Sequence, residues 1–264
     1  MKDALNSQDA WIEAIQRVIV PLVARHPAGV GLRLIGGSRF YLLDRSSRFS
    51  RDLDYDTSEE LAVKQAAVLR VLQTKLVPDL AERFGVETLV APLEGKDASP
   101  SVHELQVAFR PEGWERPVVV SVQILSIVSL DGQENRLFEG TMVPTVSDAD
   151  LVESKVIAIF NRIHLAHRDL VDLFLFQHRL RPDSAGRMQA KLARLGIGAD
   201  LVARQLADFR EHPDFHAKGI GQIVREEVEP IQARRLEESG GGRAILEAVR
   251  AILEHRLRLG GGAP

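Results

Sequence analysis

Asp52, Asp54 and Asp56 alternate with Leu53 and Tyr55. If Arg48 to Asp56 forms a strand, the three acids share one face, because side chains alternate across a strand. Three like charges at close range repel, and a divalent cation is the simplest remedy. Oxygen-only ligands favour Mg²⁺ or Mn²⁺, and Mg²⁺ usually takes one or two carboxylates together with substrate phosphates and water. Before them, across a gap of thirteen residues, Gly36-Gly37-Ser38 offers the complementary half. Glycine lets backbone N–H groups approach a phosphate, a following helix N-terminus favours an anion, and Ser38 adds a hydroxyl donor. Alone, the first feature reads as a solvated strand edge and the second as a plain turn. Together, at the same end of neighbouring strands, they describe a place for a metal-bound triphosphate.

A second set lies further on. Leu151 to Arg162 is an amphipathic helical stretch in which Lys155 and Arg162, seven residues apart, share a face. Arg168, Asp169 and Asp172 follow on another helix, with Leu170, Leu173 and Phe174 available for core. The plain alternative is a solvated face carrying local salt bridges. His164 and His167, three apart without an HExxH arrangement, read as surface or capping residues.

The elements that must position these groups follow from periodicity. A helix is expected over Gln8–Arg25, where Trp11, Ile15, Val18, Ile19, Leu22 and Val23 recur at helical spacing, ending at Pro27-Ala28-Gly29. Val30–Ile35 reads as a strand, followed by the Gly36-Gly37-Ser38 turn and Phe40–Leu43, which can start a helix. Residues 58–84 return to helical period. Val86–Pro92, Val102–Phe109 and Pro117–Val128 read as strands separated by Gly95-Lys96-Asp97 and Pro111-Glu112-Gly113 turns. From Asp148 the period is helical to Gly260, with breaks near Arg181-Pro182-Asp183, Gly196-Ile197-Gly198, Pro213, Pro230 and Gly240-Gly241-Gly242, and Gly260-Gly261-Gly262 reads as a loose tail. The expected fold class is α+β, a mixed sheet with helices over 1–147 followed by a helical domain over 148–264.

Composition excludes several classes. With 264 residues, 45% hydrophobic and 27% charged, the chain can bury a core and is neither disordered nor a membrane protein. No apolar run approaches the roughly 20 residues of a membrane span, and Met1-Lys2-Asp3-Ala4 does not start a secretory signal, so the cytoplasm is the expected location. The absence of cysteine excludes disulfides, thiolate catalysis and Cys-bound zinc. The net charge of −3 hides an excess of Lys and Arg between Leu151 and Arg194, which suits a phosphate-bearing ligand or a solvated helical face.

The run Leu34-Ile35-Gly36-Gly37-Ser38-Arg39-Phe40, then Arg48-Phe49-Ser50-Arg51-Asp52-Leu53-Asp54-Tyr55, resembles the first motif of the AbiEii/AbiGii family of nucleotidyltransferase toxins. That family is related to the MenT toxins and more distantly to DNA polymerase β-like enzymes. Lys155, Arg162 and the Arg168-Asp169 to Asp172-Leu173 signature match its later helical motifs. The resemblance implies a nucleotidyltransferase-type sheet domain and an NTP substrate. It implies Asp52 and Asp54 as metal ligands, with Asp56 only flanking the pair. It gives Lys155 to the nucleotide phosphates, and Gly37, Ser38, Arg162, Arg168, Asp169 and Asp172 to nucleotide binding. The activity it implies is transfer of an NMP from an NTP to an acceptor, with a tRNA 3′ end suggested by related toxins, in a toxin paired with a cognate antitoxin.

One position departs from the pattern. Such enzymes carry a third carboxylate on a later strand, and the corresponding segment here is Val119 to Ile124, with Ser121 and Gln123 where a lysine and the acid are expected. Gln123 can ligate through its carbonyl but supplies neither charge nor a proton acceptor. Either Asp56 or Glu104 replaces the acid, or the acceptor needs no strong base, or transfer is weak and the chain chiefly binds nucleotide. A small-molecule transferase of the antibiotic-modifying kind is the other alternative.

Overall fold

The computed structural model describes residues 5–93, 101–162 and 164–259. The Gly95-Lys96-Asp97 turn and the Gly260-Gly261-Gly262 tail lie outside them. The chain divides into two units. The first comprises Met1–Ser46, Ser50–Ile127 and Gln133–Val146, and the second Ser47–Phe49, Val128–Gly132 and Ser147–Pro264.

The first unit is built on a seven-stranded mixed sheet. In chain order its strands are β1 Arg33–Ile35, β2 Leu53–Asp56, β3 Glu87–Pro92, β4 Val102–Arg110, β5 Val118–Leu125, β6 Glu134–Phe138 and β7 Thr141–Thr145. In space they run β3-β4-β5-β2-β1-β7-β6. β2 is parallel to β5 and β1 to β7, and the other neighbours are antiparallel. Helix α1, Gln8–Arg25, starts where the Ser7 side chain accepts the Ala10 N–H, satisfying an otherwise orphaned donor. It buries Trp11, Ile15, Ile19 and Val23 at helical spacing. The Trp11 ring lies 5.8 Å from Phe84 and 5.9 Å from Phe109. A short turn, α2 Gly36–Ser38, runs into a π-helical turn over Arg39–Leu43. Helix α3, Leu61–Val71, continues through another π-helical turn, Leu72–Leu76, into α4, Val77–Phe84, and Gly85 ends it in the left-handed conformation.

Strand alternation sorts the sheet's two faces. Leu53, Tyr55, Leu105, Val107, Phe109, Val120, Val122 and Ile124 are buried, while Asp54, Glu104, Gln106, Ser121 and Gln123, one step out of phase, are half-buried. The polar face is the one that carries the acids.

Two sequence expectations change here. The strand expected over Arg48–Asp56 starts only at Leu53, so Asp52 precedes it rather than sharing it. The cause is non-local. The backbone at Ser47 and Phe49 pairs instead with Glu229 and Glu227, with Arg48 bridged to Val228, inside the second unit. The strand read over Val30–Ile35 likewise shortens, because Pro27–Gly29 forms a 3₁₀ turn and the Leu32 N–H donates to Gly29. The β6–β7 hairpin was not legible. Its turn places Glu139 and Gly140 both at positive φ, 46° and 68°, an arrangement that suits the twist of paired strands.

The second unit is helical: α5 Asp148–Asn161, α6 His167–Phe176, α7 Ser184–Arg194, α8 Ala199–Glu211, α9 Pro213–Glu227, α10 Pro230–Glu238 and α11 Gly241–Ala251. The Pro and Gly breaks of the sequence fall between these helices or at their starts, as at Pro213, Pro230 and Gly241. Asp150, fully buried, holds the 128–132 segment to this unit by accepting Ser129 Oγ at 2.7 Å and the Asp131 N–H at 2.8 Å. Lys191 and Arg187 reach the same carboxylate at 2.6 and 2.7 Å, and both also pair with Glu153.

Burial acts to raise the Asp150 pKa, but hydrogen bonds from Lys191, Ser129 and the Asp131 amide outweigh it and hold the group down to about 2. A depressed carboxylate pKa adds stability that is complete above the ordinary Asp range and lost as pH falls through the folded value. The expected contribution is about 2 kcal/mol. Denaturant unfolding of wild type and Asp150→Asn should therefore show a stability gap that narrows by that amount as pH is lowered from the neutral range to about 2. A gap independent of pH would contradict this account.

Candidate functional site

In the first unit the site starts at Gly36. Its φ is +70°, and a Cβ built there would lie 1.9 Å from Asp54 Oδ2 and 2.8 Å from its Cγ. Ile35 pairs across β1–β2 with Asp54, so the chain turns directly over that carboxylate as it leaves the strand. Any side chain at position 36 would displace the acid. Gly37 is buried beside it, and Ser38, also fully buried, donates its Oγ to the Ile35 carbonyl at 3.3 Å. Asp52 is half-buried at the entry to β2.

Asp56 sits differently from the pair. It is 1% exposed, its Oδ2 accepts Arg33 Nε at 2.8 Å, and its Oδ1 accepts the Ile127 N–H at 2.8 Å. Its charge is spent on fixing β2 to its surroundings. On the other side of β2 the register sets Gln123 beside Asp54 and Glu104 beside Gln123. The Gln123 amide makes long hydrogen bonds of 3.4 Å to Glu104 Oε2 and to Ser121 Oγ.

The donor set suits a hard cation. Asp52 and Asp54 offer oxygen only, and the missing Cβ at Gly36 leaves room for the carboxylate against the backbone. Among the described residues no group of three or more His, Cys, Asp or Glu side chains is arranged to hold a metal. An ion held by Asp52 and Asp54 would thus complete its shell from substrate and water, as Mg²⁺ commonly does.

In the second unit the helical motif residues converge. Lys155 Nζ, from α5, lies 3.0 Å from Asp169 Oδ1 and 2.9 Å from Asp172 Oδ2, both on α6. Arg162, which caps the end of α5, reaches Asp169 Oδ2 at 3.3 Å. Arg48 closes the cluster. Its guanidinium makes a two-pronged pair with Asp172, at 2.6 and 2.8 Å, and binds Glu227 at 2.7 Å. The role of Arg48 is not legible in the motif that contains it, since its partner is 124 residues away. Arg168 is half-buried in the first turn of α6.

Burial acts to lower the Lys155 pKa, but the charges of Asp172 and Asp169 outweigh it and raise the value, so the ammonium is retained. For Asp172 burial acts upward, and Lys155 and Arg48 bring the net value below the ordinary carboxylate range. Three cations, Lys155, Arg48 and Arg162, face three acids, Asp169, Asp172 and Glu227. Such balance lets charges survive burial.

The basic stretch between Leu151 and Arg194 is neutralised to a large extent by acids outside it. Arg179 pairs with Asp148, Arg181 and Arg187 with Asp131, and Lys191 with Asp150. Of the two readings of this stretch, these four cations follow the one of a helical face laced with salt bridges. His164 is exposed, but His167 is half-buried against His216, 3.3 Å away, on a helix face opened by Gly219.

The Gly36–Asp54 contact predicts an energetic coupling. Gly36→Ala should lower stability by roughly 2 kcal/mol or more, since it combines left-handed strain with a collision. In an Asp54→Ala background the contacts with Oδ2 and Cγ disappear and only the one with Cβ, at 3.0 Å, remains, so the penalty should shrink by about 1 kcal/mol or more in a double-mutant cycle. Additive effects in urea unfolding would contradict the geometry.

A family model described as nucleotidyl transferase AbiEii toxin, type IV TA system, matches residues 22–254. No curated protein matches the chain. Among solved structures, JHP933 from Helicobacter pylori is 21% identical, with a TM-score of 0.55 over 96% of this chain and 95% of that one. A candidate nucleotidyltransferase from H. pylori is 19% identical, with a TM-score of 0.58 over 98% of this chain and all of the other. At those identities the two structures establish the fold, a nucleotidyltransferase-like α+β architecture. The family match spans most of the sequence, and the chain belongs to the AbiEii toxin family of nucleotidyltransferases.

Proposed function

We propose that this nucleotidyltransferase moves an NMP from a Mg²⁺-bound NTP (Mn²⁺ serving equally) to a tRNA 3′ end and releases pyrophosphate. The observation that carries the reading is the seat of Asp54 under the Gly36 turn, with Asp52 at the entry to the same strand. A glycine backbone that approaches a carboxylate this closely can also approach a phosphate. When bound, the ion would offset charge on the triphosphate and on the departing pyrophosphate. The chain's own part is to fix the two carboxylates and to present backbone N–H groups at Gly36 and Gly37.

Lys155 is assigned the phosphates of the nucleotide, as a point charge that can turn toward an anion. In this reading Asp169 and Asp172 orient its ammonium, and Arg162 and Arg168 add nearby positive charge. The description of the family as the toxin of a type IV system supports a toxin role with a cognate antitoxin as partner, and an NTP substrate goes with a cytoplasmic setting. The tRNA acceptor rests on the relation to other toxins of this kind.

Gln123 beside Asp54 favours one rival, a nucleotide-binding protein with little transfer. A small-molecule acceptor is the other. Incubation with α-phosphate-labelled NTPs, Mg²⁺ and either total bacterial tRNA or an amino sugar separates them. The expected outcome is labelled tRNA, abolished by Asp54→Ala and by EDTA. Label on the amino sugar alone, or NTP binding without any transfer, would overturn the assignment in favour of the corresponding rival.

A further inference from the structure

The reaction proposed above needs somewhere to put the acceptor's proton. In the first unit, directly opposed residues of neighbouring strands project from the same face. Asp54 on β2, Gln123 on β5 and Glu104 on β4 therefore form one row on the polar face of the sheet. Adjacent strands lie about 4.8 Å apart, so Asp54 and Glu104 are separated by roughly 10 Å between their Cα atoms. Gln123 fills the middle position and turns its Nε2 toward Glu104 Oε2.

Two acids compete for the vacant role, and the structure separates them. Both Asp56 oxygens are engaged, one by Arg33 and the other by the Ile127 amide, and the residue is buried. Glu104 is half-buried, on a strand whose backbone is held at that residue. The Glu104 carbonyl accepts Gln65 Nε2 at 2.9 Å and the Leu93 N–H at 3.0 Å. Gln65 is itself 3.2 Å from His103 Nδ1. The backbone is fixed, and the side chain is one methylene longer than the aspartate expected one strand closer.

We propose that Glu104 is the proton acceptor of the transfer step, acting across Gln123 in place of the acid that position 123 lacks. The acceptor hydroxyl oxygen forms a bond to the α-phosphorus as the bond from that phosphorus to the bridging oxygen of pyrophosphate breaks. The hydroxyl proton passes to a Glu104 carboxylate oxygen, and pyrophosphate leaves with the electron pair. Gln123 steers the carboxylate through its amide and needs no charge of its own. This assignment rests on the nucleotidyl-transfer reading.

The test uses the full chain, α-phosphate-labelled NTPs and total bacterial tRNA, with NTP affinity measured separately by equilibrium dialysis. Glu104→Gln should reduce transfer on the order of 100-fold or more while NTP affinity stays within about twofold. It should also remove the acidic limb of the pH–rate profile. Adding Gln123→Asp to Glu104→Gln should return transfer to within roughly tenfold of wild type and bring the acidic limb back, because the acid then stands beside Asp54. If Glu104→Gln perturbs β4, Glu104→Asp tests the same reach, with transfer falling at an unchanged unfolding midpoint. A Glu104→Gln chain as active as wild type, alongside an inactive Asp54→Ala, overturns the role of Glu104 and leaves the transferase reading intact. Equal transfer by wild type and Asp54→Ala, or none by wild type, overturns that reading and this assignment with it.

Discussion

The candidate site depends on one steric constraint, the space at Gly36 occupied by a carboxylate oxygen of Asp54. Position 36 must be glycine for two reasons that coincide, a positive φ and an absent Cβ. From that contact follow the end of β1, the turn into α2 and the lateral position of β2. Gly37 and Ser38 are buried because the turn is pressed against the strand. The Ser38 hydroxyl is directed back to Ile35, where it stabilises the turn.

The second unit is organised by balanced buried charge. Asp172 has no exposed surface and is gripped by Arg48 on one side and Lys155 on the other. Removing one member would leave the others uncompensated, at a penalty of about 3–5 kcal/mol. The same logic recurs around Asp150, where a short loop segment is held by a carboxylate that also neutralises Lys191. In each case an excursion of the chain belongs to the helical unit because an ionic group anchors it: Ser47–Phe49 through Arg48, and Val128–Gly132 through Asp150. A cluster so well neutralised is stable as it stands.

Local signals carried much of this. The limits of α1 are legible because the apolar period and Pro27 agree, and the breaks of the helical unit are marked by Pro and Gly. The Asp-x-Asp pair and its glycine turn were visible from residue types and spacing. Long-range pairing was not. The residues before Asp52 lose their strand character to Glu227–Glu229, and the fork of Arg48 on Asp172 joins segments no periodicity could connect. The β6–β7 hairpin escaped notice because Pro144 sits within β7 and the turn is Glu139-Gly140 rather than a stronger turn pair. The row from Asp54 through Gln123 to Glu104 exists only in the register of three strands, although Glu104 is already a candidate substitute acid in the sequence.

The proposed role of Asp52 and Asp54, beside the Gly36 turn, is to hold the metal and triphosphate of an NTP. A crystal structure with a non-hydrolysable NTP and Mg²⁺ tests it most directly. The expected result is an ion ligated by both aspartates, with phosphate oxygens against the backbone N–H groups of Gly36 and Gly37. An ion that takes no ligand from either aspartate, or a triphosphate bound away from that turn, would contradict it.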